Sequence, residues 1–370
     1  MGIVHYATEM TAANPLRDVH AKSGAEMSQW FGGELPHRFV GFEREYQWAT
    51  QSVALLDTNF HAFAWFDGTD RVRYLNAVTT NSITDLAPGS GNAGLLLTAQ
   101  AHILAELRTY ALADRLLVLS HGALWQRTLE TLDKFIIMDD VTLDDASARL
   151  GTLAIEGPRA AALVHEMCGL KLDPMSLHSH REVQIGSVAA RVVRISYFGR
   201  PGVEFIAARE HIPALWQMLA AAVRDSSGGP VGYEALNALR LEAGIPWFGY
   251  DFDEHAIPHE AALEQTHINY SKGCYTGQEI VERVRARGQV NRRRTALRFS
   301  PGAPPPAGTP LTAGGKEVGI VTSAAFSPLT GAPIGFAYIR REHQGLGARL
   351  QYEGGTAQVI DLPAFSPSSL

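Results

Sequence analysis

The sequence predicts an α+β fold, built as several lobes and finished by a small all-β unit. Three observations carry the prediction. Strand-like apolar runs alternate with helical patterns, but without the strict repetition of a doubly wound sheet. A breaker cluster, Ser300-Pro-Gly-Ala-Pro-Pro-Pro-Ala-Gly308, interrupts the chain. Beyond it lie short alternating runs punctuated by Gly and Pro, the pattern of a barrel or a sandwich. A length of 370 residues fits two or three domains. The expected division is an α+β region of two interleaved lobes over 1–290 and a β-barrel over 291–370.

Taken in order, residues 24–56 read as helix or mixed structure, with Met27, Trp30 and Phe31 early and Trp48, Val53, Leu55 and Leu56 late. Ala62 to Phe66 is a compact apolar strand that ends at the turn signal Asp67-Gly68. Residues 69–78 read as helix, because Val72, Leu75 and Val78 recur on one face. Leu95 to Leu97, Leu104 to Tyr110 and Arg115 to Leu119 read as successive strands, and 122–135 as another helix. Arg149 to Ile155, Val188 to Ser196 and Val203 to Ala207 read as further strands. Residues 233–243 form a helix with Leu236, Leu239 and Ala243 on one face, stopped by Gly244 and Pro246. The last runs are Gly319 to Thr322, Pro333 to Ile339, Ala348 to Tyr352 and Ala357 to Ile360. The residues show no long internal repeat.

Composition narrows the function. Hydrophobic residues make up 46% and charged residues 19%, an ordinary globular balance that excludes a disordered or fibrous chain. The net charge of −6 argues against a dedicated nucleic-acid binder. The cysteines are Cys168 and Cys274, with no CxxC pair for zinc or redox work, which fits a reducing compartment. Met1 to Arg17 lacks a basic start followed by an apolar run, so no signal peptide is expected. No stretch of about 18 apolar residues suggests a membrane span. The expected location is the cytoplasm.

Chemistry concentrates in a few places. In Lys272-Gly273-Cys274-Tyr275-Thr276-Gly277-Gln278-Glu279, Thr276 and Glu279 have capping-box spacing, so a helix is expected from Gly277. Cys274 would then stand near the positive end of that helix, with Lys272 beside it, and both favour the thiolate. The alternative is a small residue in a tight turn. Cys168 reads as a core residue at a helix end. Arg283 to Arg294 holds six arginines, which suit RNA phosphate or the carboxylate tail of a cofactor, or simply an exposed strand and loop. Strand alternation would put Arg283, Arg285 and Arg287 on one face, whereas a helix would spread them.

Glu106 and Glu204 sit in apolar strands, where a carboxylate is costly unless partnered. Alternation places Leu104, Glu106 and Arg108 on one face, so Arg108 is the expected partner of Glu106. Either carboxylate could hold a polar heterocycle through two N–H donors. Pattern alone favours outward-facing strand positions. Arg240, beside the stripe Leu236/Leu239/Ala243, reads as partly buried or as a rim residue whose stem covers the core. His255 and His259 are interrupted by Pro258, so neither is expected to bind a metal. No GxGxxG after a strand, GxSxG or GKS/T loop supports a nucleotide fold or a serine hydrolase.

Six segments carry a resemblance: Arg17 to Met27, Gly68 to Leu75 leading into Thr80-Asn81, Ile155-Glu-Gly-Pro158, Tyr197-Phe-Gly-Arg-Pro-Gly-Val-Glu204, Leu239-Arg-Leu-Glu-Ala-Gly244, and Val321-Thr-Ser323 with Phe326-Ser-Pro328. In this order they resemble the folate-binding superfamily of the glycine-cleavage T-protein (aminomethyltransferase), the YgfZ proteins and dimethylsulfoniopropionate demethylase, over Pro15 to Phe365. Lys272 to Glu279 resembles the KGC[FY]xGQE signature of the YgfZ branch, which T-proteins lack. The resemblance implies a central pocket that binds tetrahydrofolate or a one-carbon derivative. It implies that Glu204 grips the pterin, that Tyr197, Tyr110 and Asn81 line the pocket, and that Arg240 lies near it. Glu106 matches the second residue of the T-protein Asp-Asp pair, where this chain has Ala105-Glu106. The YgfZ branch implies a functional Cys274, support of iron-sulfur enzymes and a role in tRNA modification. The T-protein branch implies aminomethyl or methyl transfer to tetrahydrofolate.

Overall fold

A computed structural model describes residues 13–364. The leader expectation for Met1 to Arg17 falls mainly on residues 1–12, outside the described residues. A short helix α1 (Arg17–Ser23) leads to a hairpin, β1 (Glu26–Trp30) and β2 (Gly33–Arg38), then α2 (Phe42–Gln51) and β3 (Ala54–Asp57). The segment expected as helix or mixed structure is thus two strands, a helix and a third strand.

Two sheets follow, and they repeat one path. The first run is β4 (His61–Asp67), α3 (Arg71–Val78), β5 (Gly91–Leu97), β6 (Ile103–Ala111), β7 (Leu116–His121), α4 (Trp125–Lys134) and β8 (Thr142–Asp145). The second is β9 (Leu150–Glu156), α5 (Ala160–Cys168), β10 (His180–Ile185), β11 (Val188–Arg194), β12 (Gly202–Ala208), α6 (Ile212–Asp225) and β13 (Gly229–Pro230). The sheet orders are β5-β6-β7-β4-β8 and β10-β11-β12-β9-β3-β13. In each, a three-strand meander returns antiparallel to the strand that opened the run, β7 against β4 and β12 against β9. The repeat lies in the chain path, not in residue identity, so no sequence period announces it.

Each run packs its helices over an apolar face. In the second, Leu215, Leu219 and Val223 of α6 recur every four residues and meet Leu153 and Ile155 of β9. In the first, Leu75 and Val78 of α3 and Leu132 of α4 cover Ala64, Phe66 and Val118. Between the two sheets, Phe63, Tyr110, Leu117 and Leu119 pack with Val193 and Ile206.

Helix α7 (Tyr233–Glu242) ends where Gly244 turns left-handed, at φ 75°. A long irregular segment then leads to α8 (Gln278–Arg287) and the barrel strands β14 (Arg292–Phe299), β15 (Pro310–Ala313), β16 (Lys316–Ser327), β17 (Ala332–Arg340), β18 (Arg349–Tyr352) and β19 (Gly355–Ile360). Their order β14-β17-β16-β15-β18-β19 closes on itself through β19 against β14, which leaves no free sheet edge. The α+β class and the terminal barrel agree with the sequence. Among the described residues, no helix is long and apolar enough to cross a membrane.

Candidate active site

Strand β6 supplies one side of the site. Its alternate residues Leu104, Glu106, Arg108 and Tyr110 share a face, as the sequence indicates. That face turns toward the second sheet, not toward water. Opposite stands Glu204 on β12, wholly buried. The Tyr197 hydroxyl donates to Glu204 Oε1, His61 Nδ1 lies 3.3 Å from the same oxygen, and Arg108 Nη1 lies 3.6 Å from Oε2. The outward positions favoured by pattern alone are therefore incorrect for both carboxylates. Alternation cannot say which face a second sheet will cover.

A buried carboxylate stays ionised only where neighbours replace its hydration. Burial alone would raise the Glu204 carboxyl, but His61, Arg108 and the Tyr197 hydroxyl outweigh it and hold it at about 2. Burial pulls His61 down to about 4 despite Glu204, so that imidazole is neutral at pH 7. Burial also opposes the Arg108 charge, and Tyr197 and Glu204 overcome it.

Glu106 has different partners from those expected. Its Oε1 lies 3.2 Å from His267 Nε2 and its Oε2 3.7 Å from His121 Nε2. These imidazoles outweigh burial and keep the carboxyl well below its usual range. Arg108, expected to pair with Glu106, reaches across the junction to Glu204 instead.

His178 enters from the loop between α5 and β10. Its backbone is left-handed, at φ 64°, an unusual state for a side chain of this size. Two bonds pin the loop: His178 N donates to the Arg194 carbonyl at 2.7 Å and His180 N to the Gly89 carbonyl at 2.8 Å. Burial, with the charges of Arg108 and His267, lowers His178 to about 3.

Four buried polar atoms of this junction have no hydrogen-bond partner, His61 Nε2, Tyr110 Oη, His121 Nδ1 and His178 Nδ1, and Arg108 Nη1 and Glu204 Oε2 meet only as the 3.6 Å ion pair. Native interiors pair nearly all such atoms, so their convergence marks a place built for a polar ligand. A neighbouring carboxylate shows the contrast. Glu156 on β9 accepts from Ser196 Oγ and from the amides of Tyr197, Phe198 and Arg200. It braces the turn that carries Tyr197 and has nothing left to offer a ligand.

The other residues singled out in the sequence lie apart from this cluster. Asn81 uses its amide locally, donating to the Ala93 carbonyl at 2.8 Å and accepting from Ser82 N at 2.9 Å. Arg240 is fully buried and pairs with Asp251, which also accepts from Thr322 and Ser323 of β16. It ties α7 to the barrel, with Trp247 stacked at 4.5 Å.

Cys274 is exposed. Lys272 does not serve it as a countercharge. Its ammonium donates to the carbonyls of Asn76 and Thr79 at the end of α3, and burial lowers it to about 8. The expected capping box does not form. Gly277 is the N-cap, at φ 84°, with no side-chain cap, and Glu279 instead accepts from Arg283 at 2.9 Å. A Cβ on Gly277 would stand 2.6 Å from the Thr98 carbonyl oxygen, so the turn before α8 requires glycine. Gln278 opens the helix, while a Cβ on Gly273 would meet nothing.

Arg283, Arg285 and Arg287 lie on α8 and spread around it. Most arginines of the cluster have internal partners: Arg285 with Glu282, Arg292 with Glu260, Arg293 with Glu264 and Arg294 with the Ala261 carbonyl. Among the described residues, no group of three or more His, Cys, Asp or Glu is arranged to hold a metal ion.

Sequence reasoning missed His61, His121, His178 and His267. They are scattered along the chain and carry no local pattern. The meeting of the two sheets, with the segment after α7 that carries His267, brings them together.

Comparison with known proteins places the chain. Residues 16–269 match the model of the GCVT N-terminal domain, and 292–365 match the glycine cleavage T-protein C-terminal barrel domain. An aminomethyltransferase of Rubrobacter xylanophilus is 25% identical over 352 residues, covering 95% of this chain and 93% of its own. One of Streptomyces avermitilis is 27% identical over 357 residues, covering 94% and 95%. The crystal structure of glycine cleavage system aminomethyltransferase T from Bartonella henselae superimposes with a TM-score of 0.87 at 24% identity, covering 96% of this chain and 98% of that one.

Proposed function

We infer that this chain, which belongs to the glycine cleavage T-protein family, is a tetrahydrofolate-dependent transferase of a one-carbon unit, aminomethyl or methyl. One observation carries the reading: Glu204 Oε2 is buried and ionised and accepts no hydrogen bond, held only by the Arg108 ion pair at 3.6 Å. A buried carboxylate in this state suits a flat heterocycle that offers two N–H groups, as a pterin does. Tetrahydrofolate supplies the amine that accepts the one-carbon unit.

The chain's own residues do the rest. Tyr197 and His61 hold Glu204 in one orientation, and Glu156 holds the turn that carries Tyr197. Arg108 stabilises the Glu204 charge. Glu106 is ionised, so it accepts a proton at Oε1 or Oε2 rather than donating one. It has one methylene more than the family's aspartate, which sets its oxygens farther from β6. This favours a donor of different size from the one an Asp-Asp site accepts.

The test is a calorimetric titration of tetrahydrofolate under anaerobic conditions into wild type and Glu204→Gln. Saturable binding that weakens at least about tenfold in the variant, a loss of about 1.4 kcal/mol, supports the reading. No binding to the wild type overturns it.

A second reading has one observation in its favour, the exposure of Cys274 on the segment that resembles the YgfZ signature. There the folate site is kept and the thiol serves iron-sulfur proteins or tRNA modification. Cys274→Ser would abolish that role and leave one-carbon transfer intact.

A further inference from the structure

The hairpin of β1 and β2 turns through two residues, Phe31 and Gly32, with Trp30 paired to Gly33. Both turn residues are left-handed, Phe31 at φ 53° and Gly32 at φ 77°. A two-residue turn of this kind needs positive φ at both positions, and glycine, asparagine or aspartate ordinarily supplies it. A phenylalanine there is strained, and such strain persists only where the surroundings enforce it.

The place of the ring enforces it. Phe31 is buried. Its ring lies face to face with that of Phe60, 4.3 Å away and with 18° between the planes. Trp247, Tyr250 and Tyr233 meet it edge-on, at 5.1, 5.1 and 5.8 Å. One stacked face and several edge contacts make a slot that fits a flat aromatic ring. The slot adjoins the carboxylate site. The Phe60 ring lies 4.0 Å from that of His61, and His61 Nδ1 lies 3.3 Å from Glu204 Oε1. Tyr197, which donates to Glu204, packs in one apolar cluster with Phe31, Phe60, Tyr233 and Trp247.

The hairpin is built so that its tip can leave the slot. Strands β1 and β2 form a two-stranded sheet of their own, so moving the tip breaks no ladder of another sheet. The base is anchored by Arg38, whose Nε donates to Glu234 Oε2 at 2.7 Å. At the tip, the Phe31 amide donates to Tyr250 Oη at 3.2 Å. Beside it, Trp30 Nε1 is buried with no hydrogen-bond partner, so the seated tip leaves a donor unmet.

We propose that Phe31 is a built-in plug: it fills an aromatic slot beside Glu204, and the hairpin tip withdraws before the aryl ring of a ligand enters. That the ring belongs to tetrahydrofolate rests on the transferase reading. Tetrahydrofolate carries an aminobenzoyl ring one short link from its pterin, so a pterin at Glu204 brings that ring to the slot. Its apparent affinity is then reduced by the fraction of chains whose tip is withdrawn. Release of the strained turn offsets part of the cost of withdrawal.

The experiment is a calorimetric titration of the full chain, as wild type, Phe31→Gly and Phe31→Leu, with two probes. One is 4-aminobenzamide, the aryl portion alone, and the other is tetrahydrofolate under anaerobic conditions. Glycine accepts the left-handed turn, so Phe31→Gly empties the slot without straining the hairpin. It is expected to bind each probe at least about tenfold more tightly than wild type. Phe31→Leu keeps much of the buried apolar volume and is expected to shift both affinities the same way by about threefold. It decides the question should Phe31→Gly fail to fold. A residue that only props the fold gives the opposite sign, weaker binding in both variants. Unchanged or weaker binding of 4-aminobenzamide in a folded variant overturns the plug, as does unchanged or weaker binding of tetrahydrofolate where the wild type binds it. Tighter 4-aminobenzamide with no tetrahydrofolate binding in any of the three chains leaves the plug standing and overturns the transferase reading.

Discussion

The sheet junction and the segment 272–294 each gather reactive side chains, and they are built in opposite ways. The segment is dense in sequence: a lysine, a cysteine and six arginines within a short span. In space its charges are mostly neutralised by nearby glutamates and carbonyls, and its thiol faces solvent. The junction is sparse in sequence, drawing Glu106 and Arg108 from β6, His61 from β4, Glu204 from β12, and His178 and His267 from two loops. In space it is mostly buried, charged and incompletely paired. The difference teaches that a functional site is recognised by unmet bonding capacity, not by the density of reactive residues along the chain.

The largest expected effect breaks the junction. Arg108→Met leaves Glu204 buried without its cation and is expected to destabilise the fold by about 3–5 kcal/mol. Arg287→Ala, on the exposed face of α8, is expected to change stability by less than about 0.5 kcal/mol. Urea denaturation of the two variants measures both. Equal effects would erase the distinction.

Acid acts on the same asymmetry. His61 and His178 stay neutral in the fold down to about 4 and about 3 respectively. The unfolded chain protonates its histidines near 6.5, so it binds more protons than the fold below that pH. The stability contributed by these two histidines is therefore complete above about pH 6.5 and falls between about 6.5 and 3. His61→Gln is expected to flatten that slope in a series of thermal melts, by an amount on the order of a few kcal/mol at pH 4. A slope unchanged from wild type would mean that His61 is not held neutral.

In the segment, the larger effect belongs to a glycine. Gly277→Ala meets both the left-handed backbone and the Thr98 carbonyl, and is expected to cost about 1–3 kcal/mol. Gly273→Ala, with open space around it, is expected to cost less than about 0.5 kcal/mol. The smallest effect is that of Cys274→Ser, expected to leave both melting temperature and tetrahydrofolate affinity within error. A tenfold loss of affinity would join the two regions into one site.

These contrasts mark what the sequence could convey. Local periodicity located the helices from Arg71 and Tyr233, most strands of the first sheet and half of those of the second, because apolar spacing reports one covered face, while the helix at Gln278 was expected from a capping box that does not form. The duplicated path was hidden, since any residues of suitable polarity can follow it. Glu106 and Glu204 stood out as charges in apolar strands, but their direction depended on a second sheet that neither strand encodes. Arg108 was noticed and given the wrong carboxylate, because spacing along one strand says nothing about reach across a junction. The histidines could be found only in three dimensions. Lys272 misled for a related reason: closeness in sequence to Cys274 did not decide where its ammonium points.

The repeated path of the two halves has a mechanical consequence. A molecule that touches both Glu106 on β6 and Glu204 on β12 binds only while the halves are docked, so its binding energy becomes docking energy. With the site filled, the two lobes must come apart in a single step. With it empty, the halves are held by the Arg108–Glu204 pair and the apolar contact between the sheets alone. Occupancy of so small a place then governs the cooperativity of the whole chain, and the sharpness of the melting transition reports whether the site is filled.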